Sequence, residues 1–175
     1  MCYREPVRSL AALLILGLPA HSLAYEDQLA VGLDLGYAQV VGDVAGAGVA
    51  AGPQGKIGLN DTWNAFAASH YGFHPSFDAG DEPLHAVSLA AGFEYVFDVL
   101  QWIPYGGIGA ELLWAAQGDK AGVVGGAQVS VGLDYLASRD HSYGITARWH
   151  LLVSDLEAYP AYVTVALRGS LLWDL

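Results

Sequence analysis

His150 is followed by Ser154, Asp155 and Glu157. An imidazole that takes a serine proton while a carboxylate orients it is the machinery of nucleophilic acyl transfer. His70, His74 and His85 form a second set, of side chains that metal ions take as ligands. They straddle a loop in the sequence pattern, and no metal and no cofactor is assigned to them. A third set is dispersed. Asp34, Lys56, Glu94, Glu111, Asp134, Arg148, His150 and Arg168 stand as isolated polar residues in otherwise apolar stretches. The fourth is acidic: Asp43, Asp78, Asp81, Glu82, Asp119, Asp155 and Glu157 fall in polar or Gly-rich connections. Acidic loop tips are mostly solvated, but converging carboxylates hold Ca²⁺. Gly106-Gly107-Ile108-Gly109 is no nucleotide loop, because it lies inside an alternating segment with no helix after it. Cys2 is the only cysteine, which excludes an internal disulfide framework and a Cys-based metal cluster.

The elements that position these residues follow from composition and period. The 175 residues carry a net charge of −11, which argues against a nucleic-acid partner. Hydrophobic residues make up 54% of the chain, far too many for intrinsic disorder. Arg4 and Arg8 precede an apolar run from Leu10 to Leu18, and Ser22-Leu23-Ala24 supplies small residues after it. That pattern predicts a cleaved signal peptide over 1–24 and one domain over 25–175. The apolar run is too short for a spanning helix, which takes about 20 residues.

After Ala24 the pattern has period two. Leu29, Val31, Leu33, Leu35 and Tyr37 share one face, opposite Ala30, Gly32, Asp34 and Gly36. Such alternation predicts a strand, because successive side chains point to opposite faces. Seven further segments repeat it: 49–59, 63–73, 84–97, 102–114, 124–135, 143–153 and 162–175. Short turns are predicted around Asn60, Asp98 and Arg139. Longer loops are predicted over 42–48, 74–83, 115–122 and 154–161. Short turns on one rim and long loops on the other predict an all-β, eight-stranded antiparallel up-and-down barrel that crosses a membrane.

A soluble barrel of the lipocalin type also alternates, with its apolar face turned inward around a ligand. The composition of the smaller face separates the two. It carries Gly, Ala, Ser and sparse charges rather than the dense Lys and Glu of a wetted surface. The bulky face should therefore meet lipid. The eight isolated polar residues should then fill the interior as a network of salt bridges and hydrogen bonds, with Asp34 and Arg168 paired across the closure. Trp63, Phe97, Trp102, Tyr135, Tyr143 and Trp173 fall at the short-turn ends of their strands, and Tyr37, Tyr71, Trp114 and Trp149 towards the other end. Two aromatic belts on the bulky face are expected from this.

These residues resemble the small eight-stranded outer-membrane barrels of the OmpA/OmpX type. The carriers are the leader, the opening Ala30-Val31-Gly32-Leu33-Asp34-Leu35-Gly36-Tyr37, the segment from Ile103 to Glu111, and the alternating end Leu171, Trp173, Leu175. The resemblance implies an outer-membrane location, lipid as the surrounding partner, and a last strand read by the barrel-assembly machinery. The terminal residue departs from the pattern, being Leu rather than Phe or Tyr. A structural or surface-interaction role through the loops, without catalysis, is the expectation. The enzymatic alternative is a lipid A deacylase using His150. In such enzymes the pattern is His-x-Ser-Asn, whereas Leu151-Leu152-Val153 follow His150 here.

Overall fold

The computed structural model describes residues 28–41, 46–76, 82–97, 101–152 and 161–175. The predicted leader over 1–24 lies outside them, as do Asp43, Asp78, Asp81, Ser154, Asp155 and Glu157 and the predicted turn at 98–100.

Eight strands form a closed antiparallel barrel in sequence order. They are β1 (Gln28–Val41), β2 (Gly46–Gly58), β3 (Trp63–His74), β4 (Leu84–Val96), β5 (Trp102–Gln117), β6 (Lys120–Leu136), β7 (His141–Leu152) and β8 (Ala161–Asp174). β1 pairs with β8 along its whole length, from Gln28 opposite Asp174 to Val41 opposite Ala161. That pairing removes both free edges, which water-free surroundings would leave unbonded.

The lower rim carries the start of β1, the end of β8 and the short turns. At the β2–β3 turn Asn60 organises the chain: its Oδ1 accepts from the backbone N–H groups of Thr62 at 3.0 Å and Trp63 at 2.9 Å. This is an Asx-type turn, in which a short polar side chain replaces a ladder partner. The β6–β7 turn closes through Ala137 and Ser138, whose N–H groups donate to the His141 carbonyl.

One predicted loop is corrected. Residues 115–122 form no long loop. β5 and β6 continue through them, in register from Ala115 opposite Gly122 to Gln117 opposite Lys120. Gly118 and Asp119 alone make the turn, with Gly118 at φ 58°, a left-handed conformation that costs a side chain dearly. Likewise β2 begins at Gly46, several residues before the predicted start at Val49.

The inward residues make three layers. A lower apolar cluster joins Val96, Ile103, Tyr105 and Leu136. Ala38, Val40, Ala50, Leu84 and Tyr162 form one upper cluster, and Ala86, Leu113, Val124 and Leu152 another. Between these caps lie the charged side chains.

Candidate functional site

Asp34 is the hub of the interior. It stands opposite Arg168 in the β1–β8 ladder. Arg168 Nε donates to its Oδ1 at 2.9 Å. Arg148 Nη2 donates to Oδ2, and His70 Nε2 lies 3.0 Å from the same oxygen. One carboxylate thus answers two guanidiniums. Arg168 turns its Nη1 to the Tyr105 hydroxyl at 2.7 Å and lies 3.8 Å from Asp134 Oδ2.

Lys56 reaches in from β2, on the other side of β1 from Arg168. Its Nζ donates to Glu94 Oε1 at 2.6 Å, lies 3.7 Å from Asp134 Oδ2, and sits 4.0 Å from the centre of the Tyr105 ring. Tyr105 therefore separates two cations, offering its hydroxyl to one and its π face to the other. Asp134 is made possible by a missing side chain across the ladder, for a Cβ at Gly144 would run into its Oδ1. Asp34, Glu94 and Asp134 balance Lys56, Arg148 and Arg168, so this central network is neutral with His70 uncharged. Charges withdrawn from water are tolerable only when paired and hydrogen-bonded in this way.

Glu111 and His150 form a smaller unit above it. His150 Nδ1 lies 2.6 Å from Glu111 Oε1, and Nε2 lies 3.3 Å from Thr164 Oγ1. Hydroxyl, imidazole and carboxylate stand in the order that acyl transfer uses. The unit is nonetheless sealed. His150 is 1% exposed, and Leu113, Leu152 and Tyr162 are the next inward residues above it on their strands. The inward direction also removes His150 from any substrate in the surrounding medium. The three histidines His70, His74 and His85 do not converge: the first two point inward and His85 lies on the outer face, bonded to the Tyr71 hydroxyl at 2.7 Å. Among the described residues no group of three His, Cys, Asp or Glu is placed to hold a metal ion.

Outside, the surface is apolar. Leu33 and Leu167 are 67% and 70% exposed, and Leu89, Ile108, Leu112, Val131 and Val165 are exposed with them. Trp63, Tyr95, Phe97, Trp102, Tyr135, Tyr143 and Trp173 ring the lower end of this band, with Trp63 edge-on to Tyr95 and Trp102 beside Tyr135. Tyr37, Tyr71, Trp114 and Trp149 ring the upper end on the same face.

A soluble ligand-binding cup would reverse this arrangement, and the outward Leu33, Leu89, Val131 and Val165 overturn that alternative. The chain has the fold of the small outer-membrane β-barrels. Neisserial surface protein A superposes with a TM-score of 0.65 at 16% identity, over 84% of this chain and 97% of that one. Ail, the attachment invasion locus protein of Yersinia pestis, gives 0.60 at 12% identity over 85% and 99%. The outer membrane enzyme PagL gives 0.53 at 16% identity over 81% and 97%. No protein-family model and no curated protein sequence matches the chain.

Tyr105 and Tyr162 belong to the interior but carry no charge, so reading the inward face for ions alone passes over them. Parity finds both: Tyr105 shares the face of Glu111, and Tyr162 that of Arg168.

Proposed function

We propose that this chain is an integral outer-membrane barrel without catalytic activity, whose loops meet partners at the cell surface. The observation that carries the proposal is the inversion of burial: leucines and valines outside, paired ions inside, aromatic rings bounding the apolar band. Water would make that outer face a large aggregation surface, far beyond the few hundred Å² that soluble monomers expose. Hydrocarbon makes it favourable. The eight-stranded interior is filled by side chains, so the barrel is a rigid support rather than a wide channel. On this reading the leader directs export, the last strand engages the assembly machinery, and lipid is the constant partner.

The test is membrane fractionation with electrophoresis of unheated and boiled samples. The folded barrel should resist carbonate extraction and migrate differently before boiling. Release by carbonate into the soluble fraction would refute the proposal. The lipid-hydrolase reading gets its own assay: replacing His150 by Ala should leave the acyl chains of lipid A unchanged, and a loss of deacylation would establish the enzyme instead.

A further inference from the structure

Among the described residues, one ladder is interrupted between the two aromatic rings. The β1–β2 ladder is continuous through Leu33 opposite Pro53, whereas the β2–β3 ladder runs from Ala51 opposite Tyr71 straight to Gln54 opposite Ala68. The two missing pairs are those that would use an N–H at Pro53, directed to the Ser69 carbonyl. Proline has no such donor. The Ser69 carbonyl is thus left without its ladder bond.

The same residue is anomalous in its side chain. Ser69 points outward, and among the described residues it is the one polar side chain on the outer face between the two aromatic rings. Around it the wall is hollowed. Pro53, Gly55, Ala67, Ser69 and Ala91 are small, and with Val31 and Leu89 at the margins they line a shallow, open depression. Ser69 is two residues below Tyr71, hence about 5 Å beneath the upper aromatic ring at about 3.3 Å per residue and about 40° of strand tilt. In a bilayer that depth holds the first carbons of acyl chains, next to their head groups.

From the unbonded acceptor, the lone hydroxyl and the hollow at one depth, we infer that this groove binds an acyl chain carrying a hydroxyl or amide hydrogen-bond donor near its head group. Hydrocarbon supplies the Ser69 carbonyl with no donor, and an unmet carbonyl there is costly. A chain with a hydroxyl on its third carbon brings a donor to the required depth and lays its methylenes over Gly55, Ala67 and Ala91. The inference rests on the membrane-spanning reading above.

The test uses the full chain reconstituted in phosphatidylcholine vesicles, with β-hydroxymyristate and myristate as competing probes that differ by one hydroxyl. Bound acid is measured by native mass spectrometry of the protein released from the vesicles. The hydroxylated chain should be preferred about fivefold, the worth of one net hydrogen bond. Pro53→Ala restores an N–H to the Ser69 carbonyl and should reduce that preference while leaving the barrel folded. Ala67→Trp fills the groove and should abolish retention of both probes. Equal retention of the two acids by the unmodified protein overturns the inference, and so does an unchanged preference in Pro53→Ala. A stable dimer in place of bound acid would mean that a second copy covers the groove, and overturns it as well. Failure of the protein to float with vesicles is a separate result, and it would refute the membrane reading itself.

Discussion

Asp34 shows what a single interior residue does in this barrel. It is bonded to Arg148, Arg168 and His70, which come from β7, β8 and β3, so one carboxylate ties together strands on different sides of the wall. Asp34→Asn keeps the shape and removes the charge. Two guanidiniums then face each other without an anion between them, and removing one partner of a buried ion pair costs about 3–5 kcal/mol. Its neighbour Leu35 points outward, and Leu35→Val should change stability by less than about 0.5 kcal/mol. Urea unfolding in detergent micelles, followed by gel mobility without boiling, measures both. If Asp34→Asn and Leu35→Val unfolded at the same urea concentration, the hub would have no energetic role. The direction of each interior side chain was legible in the sequence because a period of two admits only two faces. Its partners were not, apart from the Asp34–Arg168 pair, which closure makes neighbours. Parity fixes the inward side, but which ions meet depends on strand stagger and side-chain reach. Lys56 reaching Glu94 two strands away is therefore a fact of the folded barrel.

At the scale of the element, the β5–β6 hairpin gives the sharpest contrast between pattern and structure. Gln117-Gly118-Asp119-Lys120 reads as a polar loop, and Gly122 and Gly125 weaken the alternation beyond it. Closure of the ladder outweighs that weakness. Gln117 opposes Lys120, so the two-residue Gly-Asp turn lets both strands run to the tip. A Gly-X turn between alternating runs is a hairpin signal in its own right. The turn also has outside support, since the Gln117 side-chain amide donates to the Glu82 carbonyl at 3.0 Å. Gly118→Val would force a β-branched side chain into φ 58° and push it against the Glu82 carboxylate. The left-handed conformation alone costs about 1–2 kcal/mol. The hairpin tip should then open about 5–30 times more often. Lys120 beside the turn is a trypsin site, so cleavage after it should accelerate by that factor while the barrel stays intact on a gel. An unchanged cleavage rate would show that the turn conformation does not hold the tip closed.

The whole molecule has a direction as well as a shape. Both ends of the described chain and the short turns share the lower rim, and the β5–β6 tip projects from the upper one. Both belts run around the outside, so the apolar band between them fixes how the barrel sits in a bilayer, and on the proposed reading insertion from within the cell fixes which rim faces out. On the proposed reading the Gly118-Asp119 tip lies at the cell surface and the turn around Arg139 in the periplasm. The sequence makes this easy to test, because Cys2 is its only cysteine and lies within the predicted leader. A cysteine placed at Asp119 would then be unique in the processed chain, and so would one placed at Arg139. Both positions are exposed and lie outside the strands. In intact cells a membrane-impermeant maleimide should label Asp119→Cys and spare Arg139→Cys, which should react only after the outer membrane is permeabilised. Labelling of Arg139→Cys alone in intact cells would invert the topology. Equal labelling of both only after lysis would place the barrel away from the cell surface, and with it the loops through which it is proposed to act.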